Sequence, residues 1–367
     1  MKKIYFVVDW DTPKEKTWSG TVFGLYTSLK KRFLIDELGV SLKPGILRRI
    51  LLKLGLVKND LSLKNIKKER SKLSKNVNIN KSSIIFQFAE VFDSESFNNT
   101  YLYIDLSVPY LQHLAQTNSS VYNYSGFSQA SIGALNTRAY EQNNYMRHAK
   151  GIFTMGEWLK EDLVYRHGIQ ANKVHCVGGG INVDKEKINT NSEKQCNKIL
   201  FIGRDFKRKG GYLVYDAFCE LLKKQPNAEL HIAGPNTHPI SNPVSNCFYH
   251  GDCNHNTLSD LFNKCDVFCM PSYFEAYGLV FIEALCYGLP CIGRNCYEMP
   301  YFIKDGVTGL LIEDDNVSNL ASCMHRLLHD KNIKNEVLSR KDIYLNKYSW
   351  DSVADRIKAV IDKDTTC

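Results

Sequence analysis

The stretch 203-GRDFKRKGG-211 sets Arg204, Lys207, Arg208 and Lys209 among glycines, beginning with Gly203. The stretch 271-PSYFEAYGLVFIE-283 carries two glutamates, Glu275 and Glu283. Guanidinium and ammonium groups beside a helix start form an anion site suited to phosphate. Four solvated cations in an exposed loop are the plainer alternative. A Walker loop is excluded, because G-x-x-x-x-G-K-[ST] is absent. In the second stretch, the backbone at Gly278 can approach a ligand closely. The amides of Ala276, Tyr277, Gly278 and Leu279 are helix-start donors for a second face of phosphate. Glu275 lies in the loop, whereas Glu283 lies inside the apolar run FIEAL. A buried carboxylate is costly unless hydrogen-bonded, and paired sugar hydroxyls are matched donors. A backbone amide or a nearby Lys or Arg would serve as well.

Elements that alternate short apolar runs with helical periods must position these loops. Residues 4–8, 83–88, 101–104, 151–155 and 173–177 read as strands, with a helix over 156–169 stopped by Gly168. A second series follows a break near 178–196, with strands at 198–203, 229–234, 266–270 and 291–293. Its helices run over 211–224 and onward from Gly278. Strands alternating with helices through tight glycine loops indicate α/β architecture with doubly wound parallel sheets. The expected fold is two Rossmann-like domains facing a cleft. Ligands then sit at the carboxyl ends of strands. The expected domains are 1–175, with a basic insertion at about 35–82, then 176–346, and a C-terminal helix over 347–367 that returns to the first domain.

Composition limits the remaining functions. No run of 18 apolar residues exists, so no membrane span is expected. The opening MKKIYFVVDWD is too short in apolar residues for a signal peptide. Twelve cysteines without a C-x-x-C pair read as reduced thiols of a cytosolic protein. Cys265 and Cys269 share a helical spacing, but no histidine cluster completes a metal site. Residues 30–81 hold fifteen Lys and Arg against four Asp and Glu, although the whole chain carries only +8. The rest is therefore slightly acidic, which argues for one local basic surface and against nucleic-acid binding. Within it, 46-ILRRILLKLGLVK-58 has an apolar stripe at helical spacing with Arg48, Arg49 and Lys53 opposite. Two readings stand: residues 43–58 meet an anionic membrane surface, or the helix packs on its own domain. The segment 64–82 reads as a mobile basic loop.

The segment 198–314 resembles the donor-binding domain of retaining nucleotide-sugar glycosyltransferases of family four, with a GT-B fold. The resemblance rests on 201-FIGRDFKRKGG-211, 231-HIAGP-235, 271-PSYFEAYGLVFIEALCYGLP-290 and 305-DGVTGLLI-312. Farther out, 151-GIFTMGEWLKEDL-163, 175-HCVGGGIN-182 and the closing helix at 349–361 are also similar. The resemblance implies that Arg204 and Lys209 neutralise a donor diphosphate, including the charge that grows as the glycosidic bond breaks. It implies that Glu283 accepts the ribose hydroxyls and that Glu275 holds the transferred sugar. Transfer would retain anomeric configuration, with no cofactor, no catalytic metal and no enzymic nucleophile. Gly20, in 17-TWSGTVFG-24, falls where the family has a glycine loop near the donor phosphates. Asp105 stands where many members carry a histidine, which leaves it to orient acceptor or sugar. Asp9 and Asp11 spell D-W-D, a metal signature of a different glycosyltransferase fold; acceptor contacts or loop caps suit them better.

The implied partners are a nucleotide sugar and a saccharide or lipid-linked saccharide acceptor. The implied setting is cell-surface polysaccharide or glycolipid synthesis, in the cytoplasm or peripheral on the inner face of the membrane. A GT-B sugar-nucleotide epimerase would share the architecture without an acceptor. A non-catalytic membrane-surface protein would explain the basic segment but not the spaced Arg, Lys and Glu set.

Overall fold

Runs such as KIYFVV and KILFI can lie buried on both faces only inside a parallel sheet covered by helices. The computed structural model shows two such sheets. It describes residues 1–54, 56, 59–189 and 197–365, without the side chains of Arg48, Lys53, Ser74, Asn76 and Ser119.

The first unit comprises residues 1–180 and 350–367. Its strands are β1 (Lys3–Val8), β2 (Leu34–Gly39), β3 (Ile84–Gln87), β4 (Asn99–Ile104), β5 (Gly151–Thr154) and β6 (Val174–Cys176). They pair in the order β2-β1-β3-β4-β5-β6, all parallel. The helices between them are α1 (Thr21–Lys30), α2 (Ile46–Lys53), α3 (Leu63–Asn76), α4 (Val108–Thr117), α5 (Ser119–Tyr124), α6 (Ile132–His148) and α7 (Glu157–Glu161). The β1–β3 register places Phe6 opposite Phe86, and their rings stack at 5.6 Å between centroids. Phe153 and Tyr101 continue this aromatic layer.

The second unit comprises residues 181–349. Its strands are β7 (Lys198–Ile202), β8 (Glu229–Ala233), β9 (Cys247–Gly251), β10 (Val267–Cys269), β11 (Cys291–Arg294) and β12 (Gly309–Ile312). Their order, β12-β11-β10-β7-β8-β9, reverses direction between β7 and β10. Its helices are α8 (Gly211–Leu221), α9 (His255–Lys264), α10 (Leu279–Cys286), α11 (Met299–Phe302), α12 (Val317–His329), α13 (Lys331–Ser339) and α14 (Lys341–Lys347). The face of α8 formed by Leu213, Val214, Ala217, Phe218 and Leu221 is buried. The last helix, α15 (Trp350–Asp364), packs in the first unit. There Arg32, just beyond α1, bonds Asp355 at 2.6 Å and Asp351 at 3.0 Å.

The units meet at 180/181 and 349/350, slightly beyond the expected junctions. Trp350 explains the shift, because its indole fills the space a side chain would need at Gly24 and Gly180. Ile181, by contrast, donates its N–H to the Tyr348 carbonyl at 2.9 Å and begins the second unit.

Four expectations need correction. The segment read as a mobile loop from residue 64 contains helix α3, since Ile66, Glu69 and Leu73 share a buried face. Leu73 packs with Val7, Val40, Ile85, Val91 and Phe92. Arg70 completes that face by donating to the carbonyls of Glu90 and Val91 at 2.8 and 2.9 Å. The basic insertion also begins later than expected, because residues 34–39 are strand β2 of the sheet. The helix expected over 156–169 is α7 followed by one π-helical turn, Asp162–Arg166, ahead of Gly168. Helix α2 covers only the first part of 46–58; Gly55, Val57 and Lys58 lie outside the described residues.

Candidate nucleotide-sugar site

In open α/β sheets, ligands bind outside the carboxyl ends of the strands where the strand order reverses. That point in the second unit lies between β7 and β10, whose following loops are 203–210 and 270–278. The loops touch at Gly210, which has φ +78° and lies so close that a Cβ would stand 2.6 Å from the Pro271 carbonyl oxygen. Tyr273 N–H also donates to the Arg208 carbonyl at 2.9 Å.

This contact brings Lys209 to Glu275. The ammonium Nζ donates to Glu275 Oε2, and each side chain is only 12% exposed. Burial pulls the Lys209 ammonium below its usual range, and the Glu275 charge opposes that pull. Arg208 Nη1 lies 3.6 Å from the same carboxylate oxygen and donates to the Phe274 carbonyl at 2.7 Å. Ser272 Oγ adds a 3.4 Å contact to Glu275. Gly203 makes room for the lysine stem, since a Cβ there would meet Lys209 Cγ at 2.8 Å. The structure thus brings Gly203, Lys209 and Glu275 together. Arg208 and Ser272 join them without having been singled out, because the resemblance pointed to Arg204 and Lys209 among the cations and to no serine.

Arg204 is not part of this cluster. Its guanidinium is 76% exposed and bonds Asp252 Oδ1 at 3.2 Å. Ala276 and Tyr277 lead into Gly278, the left-handed N-cap of α10 at φ +93°, with Leu279 as the first helical residue. Gly278 brings no capping side chain to this helix start.

Glu283 lines a separate pocket, with Asn182, Val183, Asp184, Lys187, His255, Leu258, Ser259 and Phe262. Burial pushes its carboxyl up to about 7, and the Asn182 backbone N–H partly offsets the rise. Sequence reading missed the wall of residues 182–187, which comes from a segment far from Glu283 in the chain.

In the first unit, β1 leads through a turn with Trp18 at φ +48°, Ser19 at +56° and Gly20 at +91° into α1. Asp105 directly follows β4, also at a carboxyl end. Asp9 accepts from the Leu42 N–H at 3.2 Å, and Asp11 pairs with Lys43. Both therefore hold the segment after β2. Among the described residues, no group of three or more His, Cys, Asp and Glu is placed to hold a metal.

Two six-stranded parallel sheets with the loop pair at a switch point define the GT-B glycosyltransferase fold. WaaG, a glycosyltransferase involved in lipopolysaccharide biosynthesis, superposes with a TM-score of 0.66 at 15% identity, covering 98% of this chain and 99% of WaaG. Sucrose-phosphate synthase from Thermosynechococcus elongatus gives 0.68 at 14% identity, with full coverage of both chains. Residues 182–350 match the family model for glycosyl transferases group 1, and the chain carries a domain of that family. A protein of the cps region of Klebsiella pneumoniae is 31% identical over 182 residues, 46% of this chain and 50% of that protein. A glycosyltransferase of Methanocaldococcus jannaschii is 28% identical over 227 residues, 55% of this chain and 57% of its own length. The chain spans about half the length of the curated relatives it matches.

Proposed function

We propose that the protein transfers a sugar from a nucleoside-diphosphate donor to a saccharide or lipid-linked saccharide, with retention of configuration and without a metal. The pairing of Lys209 with Glu275 beside the start of α10 carries this reading. In the free protein each charge neutralises the other. An arriving diphosphate draws the ammonium toward phosphate and frees the carboxylate to accept hydroxyls of the sugar. Arg204, held by an exposed ion pair to Asp252, can swing to the departing phosphate, where charge grows in the transition state. Glu283 accepts the ribose hydroxyls from its pocket. Asp105 and the turn at Gly20 serve the acceptor side and the donor phosphates respectively. Titration calorimetry with a panel of nucleoside-diphosphate sugars tests the reading. UDP-glucose and UDP-N-acetylglucosamine come first, because one solved neighbour holds UDP-glucose and another UDP with GlcNAc. Binding of at least one donor is expected, followed by transfer with retained configuration in the presence of a chelator. Epimer formation without an acceptor would instead support the epimerase reading.

The acceptor side is proposed to work at an anionic membrane surface on the cytoplasmic side, in polysaccharide or glycolipid synthesis. Support comes from α2 and the residues after it. Ile46, Leu47, Leu54 and Leu56 are 78%, 71%, 65% and 68% exposed, within the strongly basic segment. Such apolar exposure beside cations suits a headgroup boundary. No helix among the described residues is long and apolar enough to cross a membrane. The match to a protein of a cps region supports that setting.

A further inference from the structure

Glu275 sits at the end of the loop 271–275, and a carboxylate can hold a sugar only if that loop is fixed. Arg208 and Lys209 grip it. The loop also meets residues 294–297, the end of β11 and the turn just beyond it, which belong to no feature used so far. The Arg294 guanidinium lies 4.7 Å from the Tyr273 ring centroid. Its Nη2 bonds Asp315 at 2.6 Å and makes a long 3.5 Å contact to the Pro271 carbonyl. The side chain is 13% exposed, and among the described residues its buried Nε has no acceptor. Three positions on, Tyr297 takes φ +54°, an unfavourable conformation for a bulky side chain. Its ring meets Phe274 edge-on at 5.3 Å. Phe274 is itself buried and immediately precedes Glu275.

An unsatisfied buried donor and a strained tyrosine in one four-residue stretch are both costly, and such costs cluster where geometry matters. Both residues contact the same short loop. Tyr273 and Phe274 are thereby held by Arg294 and Tyr297 as well as by Arg208. We infer that Arg294 and Tyr297 form a positioning clamp that sets Glu275 for the sugar of the donor. Neither residue needs to touch the donor. The inference rests on the proposed role of Glu275, but the clamp itself is a property of the loop.

Two measurements separate the cases. Affinity for UDP and for UDP-glucose is measured by calorimetry on wild type, Arg294→Gln, Arg294→Lys and Tyr297→Phe. Hydrogen exchange of the 272–276 amides is followed without ligand. Arg294→Gln is expected to leave UDP affinity unchanged and to weaken UDP-glucose about tenfold, the scale of a misplaced charged hydrogen bond. Arg294→Lys keeps the charge but not the planar stack, and falls with Gln. Tyr297→Phe keeps the ring and stays near wild type. Exchange at 272–276 is expected to accelerate in both Arg294 variants. Unchanged exchange overturns the clamp, whatever the ligand data show. An equal loss of UDP and UDP-glucose affinity overturns it as well, since the defect would then not be on the sugar side. If wild type binds no nucleotide sugar while exchange accelerates as expected, the proposed function fails and the clamp on the loop remains.

Discussion

Replacing Glu283 with Gln should improve the stability of the protein at alkaline pH and impair its donor binding. The glutamate carboxyl stands at about 7 in the folded chain against an ordinary 4.5, chiefly because burial disfavours the charge. A folded-state value above the unfolded one means that the folded chain binds the extra proton. The stability from that proton is fully present below 4.5 and is lost as pH rises to 7. Above pH 7 the ionised carboxylate therefore costs about 3 kcal/mol relative to a group with an unshifted value. Glutamine keeps an acceptor for the Asn182 amide without the charge. Glu283→Gln should accordingly be more stable than wild type at pH 8, by up to about 3 kcal/mol, and nearly equal below pH 5. Donor binding should follow the opposite course. Ribose hydroxyls donate best to a carboxylate, whose ionised fraction falls from about nine tenths at pH 8 to about one tenth at pH 6. Wild-type donor affinity should therefore fall about tenfold over that interval, with proton release on binding at pH 6. The variant should bind weakly at both pH values. Urea unfolding at pH 5 and 8, with calorimetry in two buffers of different ionisation enthalpy, reads both effects. A pH-independent donor affinity, or an advantage of the variant over wild type no larger at pH 8 than at pH 5, would refute the reasoning.

Three further outcomes are expected. Arg204→Ala should lower turnover about a hundredfold while raising the donor KM much less, because the leaving phosphate is most charged in the transition state; a pure KM defect would remove Arg204 from that role. Replacing Ile46, Leu47 and Leu54 together with Asn should abolish sedimentation with anionic vesicles, yet change stability by less than about 0.5 kcal/mol per site, since these side chains are exposed; wild type that ignores such vesicles counts against the membrane reading. Arg138→Gln should cost about 3–5 kcal/mol in unfolding free energy, because Arg138 bonds Glu90 at 2.6 Å and both are almost fully buried; a loss below 1 kcal/mol, measured by urea unfolding, would show that Gln142 alone satisfies Glu90.

The interior strands were legible because both faces are buried, so β1, β3, β7 and β10 appear as continuous apolar runs. The strands left unread, β2, β9 and β12, all lie at sheet edges. In β2 the sequence LIDELG is largely solvent-facing, and its charges hide the strand. Helix α3 was hidden for a related reason: its buried face includes Glu69, with Arg70 satisfied by backbone carbonyls. At the site, the loop position marked a cluster of cations and two glutamates, and only the family resemblance singled out Lys209 and Glu275. The direction of Arg204 was not legible, because Asp252, its partner, comes from the loop after β9. The Glu283 pocket escaped for the same reason, being closed by residues 182–187. Periodicity reports which face a residue occupies, but not which distant segment arrives to meet it.

The Trp350 indole packed beside Gly24 and Gly180 has a consequence for the order in which the chain is made. The first unit is discontinuous: a ribosome that has completed residues 1–180 has not yet synthesised the helix that covers α1. Residues 181–349 are contiguous and can close their sheet as soon as β12 and its helices emerge. The second unit can therefore be finished while the first still exposes the faces of α1 and Gly180 that await Trp350. During that interval the apolar surface left open belongs to the part synthesised first, and a chaperone that binds early would have to stay on until the last helix is released.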